Sequence, residues 1–165
     1  DDMNGLIKKR INDYYCVISN DNELPSIHDY CNQFRNQMAT WTVISELLIQ
    51  YNNYISNDIC LAYESFGIAW RLLDDLNDIE VDYLSSTKSA VYYLLNDEQK
   101  EFWVANQKDL KKAKEIIARN DIVNQLVILT INELTNAAQI SEFYNLNEMS
   151  NEFISMAEPL YHCYA

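Results

Sequence analysis

Glycine and proline are almost missing from this 165-residue sequence: two of each occur, Gly5 and Gly67, Pro25 and Pro159. Hairpins and crossovers need turn residues at every reversal, so the scarcity excludes all-β and α/β architectures, and with them collagen-like, linker-like and disordered chains. Positive charge is scarce as well. Twelve Lys and Arg stand against 25 Asp and Glu, giving a formal net charge of −13 and a pI near 4.4. Binding through phosphate neutralisation needs a basic face, so nucleic acid is excluded as a partner, and an anionic membrane surface would repel the chain. A phosphate-rich ligand can be held only where a metal cation or a placed Lys or Arg reverses the sign. Histidine occurs twice, and Cys16, Cys31, Cys60 and Cys163 show no C-x-x-C spacing. That argues against a Cys/His zinc site and for free thiols in a reducing compartment. No apolar run reaches 18 residues and no basic-then-apolar leader opens the chain, so the expectation is a cytoplasmic protein without a transmembrane segment. Asp1 and Asp2 precede Met3, so residue 1 is not an initiator, and the expectation is a fragment, a processed product or an excised domain.

What is present fits one helical domain over residues 1–165. Hydrophobic residues make up 48% and charged residues 22%, enough for a core with a polar surface. Periodicity and caps predict about seven helical segments. The first covers residues 3–19 and ends in the polar stretch 19–22. Pro25-Ser26 opens a second, with Ser26 and Asp29 in capping-box register, running to Tyr51. A connection spans 52–57, a long third helix 58–83, and a short one 88–95. A helix over 97–119 carries an interruption near Asn106. Asn120-Asp121 caps the next, through Tyr144, and the last follows Asn145-Leu146-Asn147 and ends before Pro159.

One cluster is basic: Lys108, Lys111, Lys112, Lys114 and Arg119, which at helical spacing reads as a solvated face. The twelve Tyr, five Phe and three Trp are spread over every segment and read mainly as core. Chemistry concentrates in residues 67–88. Asp74, Asp78 and Asp82 are four apart and share a helix face, with Asp75 beside them. Phe66, Ala69, Trp70, Leu72, Leu73, Leu76 and Ile79 fill the opposite arc. Like charges at this spacing destabilise a helix by roughly 0.2–0.5 kcal/mol per pair unless a cation intervenes. Hard oxygen donors without histidine suit Mg²⁺, with Mn²⁺ as the alternative. The plainer reading of the row is a solvated acidic face on an acidic protein.

The string Gly67, Ala69, Trp70, Arg71, Asp74, Asp75, Asp78, Asp82, Thr87-Lys88 resembles the second aspartate-rich region of the trans-isoprenyl diphosphate synthases, in the class I isoprenoid synthase superfamily. Its pattern there is roughly G-x-A-F-Q-x-x-D-D-x-x-D, then an aspartate and a Gly-Lys. The specific likeness covers about 35 residues, and a looser one in helix pattern the rest. The resemblance implies an all-α bundle of the isoprenoid synthase type, here its C-terminal half. It implies Mg²⁺ on Asp74, Asp75, Asp78 and Asp82, and an allylic isoprenyl diphosphate held by that metal and Lys88. It implies metal-assisted ionisation or condensation in a water-poor cavity lined by the acidic face.

This sequence departs from the family in several places. The first aspartate-rich motif and the Arg-Arg-Gly segment belong far upstream of the second, and 73 residues precede Asp74. Trp70-Arg71 replaces Phe-Gln, and Thr87 the glycine before the lysine. A family Lys-Thr aligns with Gln37-Met38. Two roles follow for Arg71: a cation moved across the cleft from the position of Gln37 to meet the diphosphate, or an i, i+4 salt bridge to Asp75. The missing motif makes a homodimer, or pairing with a complementary N-terminal half, the expected assembly. Alternatives are a class I terpene cyclase, with Asp78 in place of a hydroxyl, a non-catalytic regulatory subunit of the same fold, and an unrelated acidic bundle.

Overall fold

The computed structural model describes residues 3–18, 24–38, 41–51, 58–105 and 107–162. The polar stretch 19–22, the connection 52–57, Asn106 and Cys163 lie outside them. Among the described residues the chain forms ten helices and no strand, so the all-α class holds. They are α1 (Met3–Ile18), α2 (Ile27–Gln37), α3 (Val43–Tyr51), α4 (Asp58–Asn77), α5 (Ile79–Ser85), α6 (Ala90–Leu94), α7 (Asp97–Val104), α8 (Leu110–Arg119), α9 (Ile122–Phe143) and α10 (Asn147–Tyr161). None is long and apolar enough to cross a membrane.

Several expected segments divide where side chains compete for backbone groups. Ser26 starts α2 as its spacing predicts: the Asp29 amide donates to Ser26 Oγ at 3.2 Å, and that hydroxyl donates to Asp29 Oδ2 at 2.5 Å. The helix stops at Gln37 instead of reaching Tyr51. The Trp41 amide turns back onto the Met38 carbonyl (2.8 Å), and α3 opens with the Glu46 amide donating to the Thr42 main-chain carbonyl at 2.9 Å, while the Thr42 hydroxyl donates to Glu46 Oε1 at 3.2 Å. The 97–119 segment becomes α7, ending at Val104, and α8, starting at Leu110, on either side of the expected interruption. Asn96 and Gln99 close a capping box on α7, and Asp109 caps α8 through the Lys112 amide at 3.0 Å. At the other end α10 continues through Pro159 to Tyr161, because a proline in the last turn removes one backbone donor without breaking the turns before it.

Helix α4 lies along α9, and α9 along α10. The seam is built from small side chains: Ala62, Ala137 and Ala138 meet Phe153, and Ala69 meets Leu134 and Ala157. A second core joins the end of α4 to α5–α9, with Leu72, Tyr83, Val91, Trp103, Ile122 and Leu126 buried together. Helix α2 crosses the remaining flank of α4, so that Met38 covers Gly67 and Tyr30 reaches Asp75. A Cβ at Gly67 would require the Met38 side chain to shift.

Candidate functional site

The acidic row begins on α4 and ends on α5. The expected continuous helix to Tyr83 is interrupted at Asp78, whose backbone (φ −98°, ψ 12°) leaves helical geometry for one residue. The ladder bridges the break: the Asp78 amide donates to the Asp74 carbonyl at 3.0 Å, and the Asp82 amide to the Asp78 carbonyl at 2.8 Å. The four-residue spacing therefore survives. Asp74 and Asp78 are exposed, Asp82 is half-buried, and Asp75 is buried at 1% exposure.

Asp75 is the anchored member. Its Oδ2 accepts from the Tyr30 hydroxyl at 2.7 Å and from the Ala90 amide at 2.8 Å, and its Oδ1 meets Arg71 Nη2 at 3.0 Å. One carboxylate thus ties α2, α4 and the start of α6. Burial pushes its carboxyl up from the usual range, and the Ala90 amide, the Tyr30 hydroxyl and Arg71 pull it back. Burial also raises the Tyr30 phenol, and the Asp75 charge adds to it, so Tyr30 stays a donor.

Arg71 completes the arrangement. Its Nε donates to Tyr30 Oη at 2.8 Å, Nη1 faces Asp74 Oδ2 at 3.3 Å, and its face lies 6.0 Å from the Phe34 ring centre. Burial pulls its pKa down, but Tyr30, Asp75 and Asp74 together hold it above the ordinary value. This geometry contains the i, i+4 salt bridge to Asp75. Gln37 is the last residue of α2, next in sequence to the Met38 that covers Gly67.

Asp82 differs from its neighbours. Its Oδ2 is buried beside the buried hydroxyl of Ser89. Burial pushes its carboxyl up; Ser89 and Arg71 counter this, and Asp78 and Asp74 add to it. Hard oxygen donors kept at four-residue spacing are the feature here whose chemistry suits a hard cation. Yet among the described residues no group of three His, Cys, Asp or Glu is gathered closely enough to hold a metal ion.

Lys88 stands in the segment between α5 and α6, 5.4 Å from the centre of the Tyr92 ring, which Lys100 approaches at 5.5 Å. The left-handed residue before it is Ser86 (φ 60°), one position ahead of Thr87. For a non-glycine residue this conformation costs about 1–2 kcal/mol. Trp103 Nε1 donates to the Thr87 carbonyl at 2.9 Å, and Lys108 donates to Ser86 Oγ at 2.7 Å and to the Trp103 carbonyl at 2.6 Å. Lys108 therefore folds inward from the basic cluster, while Lys112 covers the Phe102 ring and Lys114 pairs with Glu80.

Sequence spacing misses Tyr30, which lies 45 residues from Asp75 with helix α3 between them. Trp70, placed on the apolar arc, is 56% exposed and touches Phe66 at the edge of the seam. A cavity of about 620 Å³ opens between α5 and α8, lined by Leu76, Ile79, Val81, Leu110 and Ile117, away from Asp74 and Asp78. No family model, no curated protein and no solved structure matches this chain, so its own geometry carries the functional reading.

Proposed function

We propose that this chain is an isoprenyl diphosphate synthase-like protein of the class I isoprenoid synthase type, holding the diphosphate of an allylic substrate at the α4–α5 acidic face with Mg²⁺, or Mn²⁺ in its place. The observation that carries the reading is the asymmetric use of the four carboxylates: Asp75 is engaged inside the fold by Tyr30, Ala90 and Arg71, while Asp74, Asp78 and Asp82 follow at four-residue spacing, Asp74 and Asp78 exposed. Bound there, the cation would screen the diphosphate and stabilise it as a leaving group.

The chain's own residues would bind and orient. Asp74, Asp78 and Asp82 supply hard oxygen donors, Arg71 sets a fixed positive charge beside Asp74, and Lys88 follows three residues after the Ser85 end of α5. A protein of charge −13 needs such local reversals to hold a polyanion.

A second reading has one observation in its favour. The carboxylates do not gather into a closed metal group among the described residues, which suits a non-catalytic subunit that completes its site against a partner. Either reading places a homodimer or a complementary unit over the exposed acidic face. A terpene cyclase would need a hydroxyl where Asp78 stands.

Thermal unfolding with Mg²⁺ and inorganic pyrophosphate, together and separately, tests the proposal. A ligand at a hundred times its dissociation constant stabilises by about 2.7 kcal/mol, or roughly 5–10 °C at this size. The pair should raise Tm more than either component, and Asp74→Asn with Asp78→Asn should remove the shift. A double variant that responds like the parent leaves only a solvated acidic face.

A further inference from the structure

The geometry points to Tyr30 and Asp75 as positioning residues that hold Arg71 in one orientation beside Asp74, with Asp75 outside the cation-binding set. The function of this clamp rests on the diphosphate reading above; the clamp itself does not.

Guanidinium is planar, so fixing two of its nitrogens fixes the third. Nε is taken by Tyr30 Oη at 2.8 Å and Nη2 by Asp75 Oδ1 at 3.0 Å. Tyr30 in turn donates to Asp75 Oδ2 at 2.7 Å, which closes a three-membered ring of contacts. The ring cannot drift, because the Ala90 amide holds the same Oδ2 at 2.8 Å and the Tyr30 ring lies against Tyr93, centres 5.2 Å apart. Phe34 borders the guanidinium face. Only the Nη1 edge is left to turn outward, and Asp74, 52% exposed, is what it meets.

Two consequences follow. Both Asp75 oxygens are engaged at 1% exposure, so Asp75 has none to offer a cation on the outer face. A surface arginine must be ordered when it binds phosphate, whereas Arg71 is ordered beforehand, which removes that loss from the binding step. Tyr30 and Asp75 thus act on the ligand only through Arg71. A simple fold anchor would alter Tm and leave anion affinity alone.

Tyr30→Phe deletes the hydroxyl and keeps the ring, so it is the primary variant. Three quantities are measured on the 165-residue chain: Mn²⁺ affinity by electron paramagnetic resonance, pyrophosphate affinity with Mg²⁺ by calorimetry, and rotation of the Arg71 guanidinium by nitrogen NMR. The parent should show a locked guanidinium with separate Nη signals. Tyr30→Phe should merge them and weaken pyrophosphate about tenfold, with Mn²⁺ affinity within about twofold of the parent. Asp75→Asn should behave the same way, and Asp74→Asn should lose Mn²⁺. If Asp75→Asn does not fold, Tyr30→Phe decides alone. A freely rotating guanidinium in the parent overturns the clamp, as does a loss of Mn²⁺ in Asp75→Asn equal to that in Asp74→Asn. A parent that binds no pyrophosphate but holds Arg71 locked, with release on Tyr30→Phe, upholds the clamp and overturns the diphosphate reading.

Discussion

Helix α4 is supported differently along its length. Its first three turns lie against α9 and α10 through alanines, with Ala62, Ala69, Ala137, Ala138 and Ala157 all buried. Its last turn and α5 rest on large rings with polar tips: Tyr83 stacks on Phe102, meets Trp103 edge-on, and accepts from the Asp109 amide at 2.8 Å. Alanine contacts bring helix axes close but have no preferred direction. Hydrogen-bonded aromatics and the Asp75 network do have one. Direction is imposed at the end of α4 that carries the acidic row, and close packing along the rest.

The sharpest way to break the aromatic support is Trp103→Ala. Trp103 is 1% exposed and holds the Thr87 carbonyl, so the change should destabilise by about 3–5 kcal/mol, read as a lower urea midpoint. A loss below about 1 kcal/mol would mean that this end of the molecule is loosely packed. The alanine seam is tested from the opposite direction. Ala69→Leu adds bulk at a fully buried position and should cost about 1–3 kcal/mol, with α9 pushed away from α4. An unchanged Tm would show room in the seam that the structure lacks.

The smallest effect is electrostatic and depends on pH. The folded-state pKa of Asp82 is raised above its ordinary 3.8, chiefly by burial. A raised carboxyl contributes its stability below the unfolded value and loses it as pH rises through the folded one. Asp82→Asn removes that loss. The variant should be more stable than the parent at pH 7 by about 0.5 kcal/mol, the scale of like-charge helix pairs, and equal to it near pH 3. Chemical denaturation at the two pH values checks this, and a variant less stable at pH 7 would mean that the carboxylate has a partner in the fold.

These contrasts also mark how far the sequence was legible. The spacing of Asp74, Asp78 and Asp82, the Ser26 cap and the existence of α4 and α9 follow from local periodicity, which acts over one to three turns. The break at Asp78, the division of the 25–51 segment and the passage of α10 through Pro159 did not follow. Each is a backbone feature of one or two residues, which a periodicity averaged over several turns does not register.

The buried thiols show the same division. Cys31 and Cys60 read as free cysteines from spacing alone, and the structure adds that burial pushes each up to about 11, leaving them poor nucleophiles at neutral pH.

By itself, the sequence determined an all-helical chain with a strongly acidic balance and a row of carboxylates at helical spacing. Composition and periodicity carry that information, because helix hydrogen bonds join residues four apart. Only the tertiary structure decided which carboxylate is which. Asp74 and Asp75 are neighbours of identical chemistry, yet one faces water and the other is buried beneath Tyr30. A turn of about 100° around the helix separates them, and what waits at each angle was contributed by α2 and α6, from distant parts of the chain.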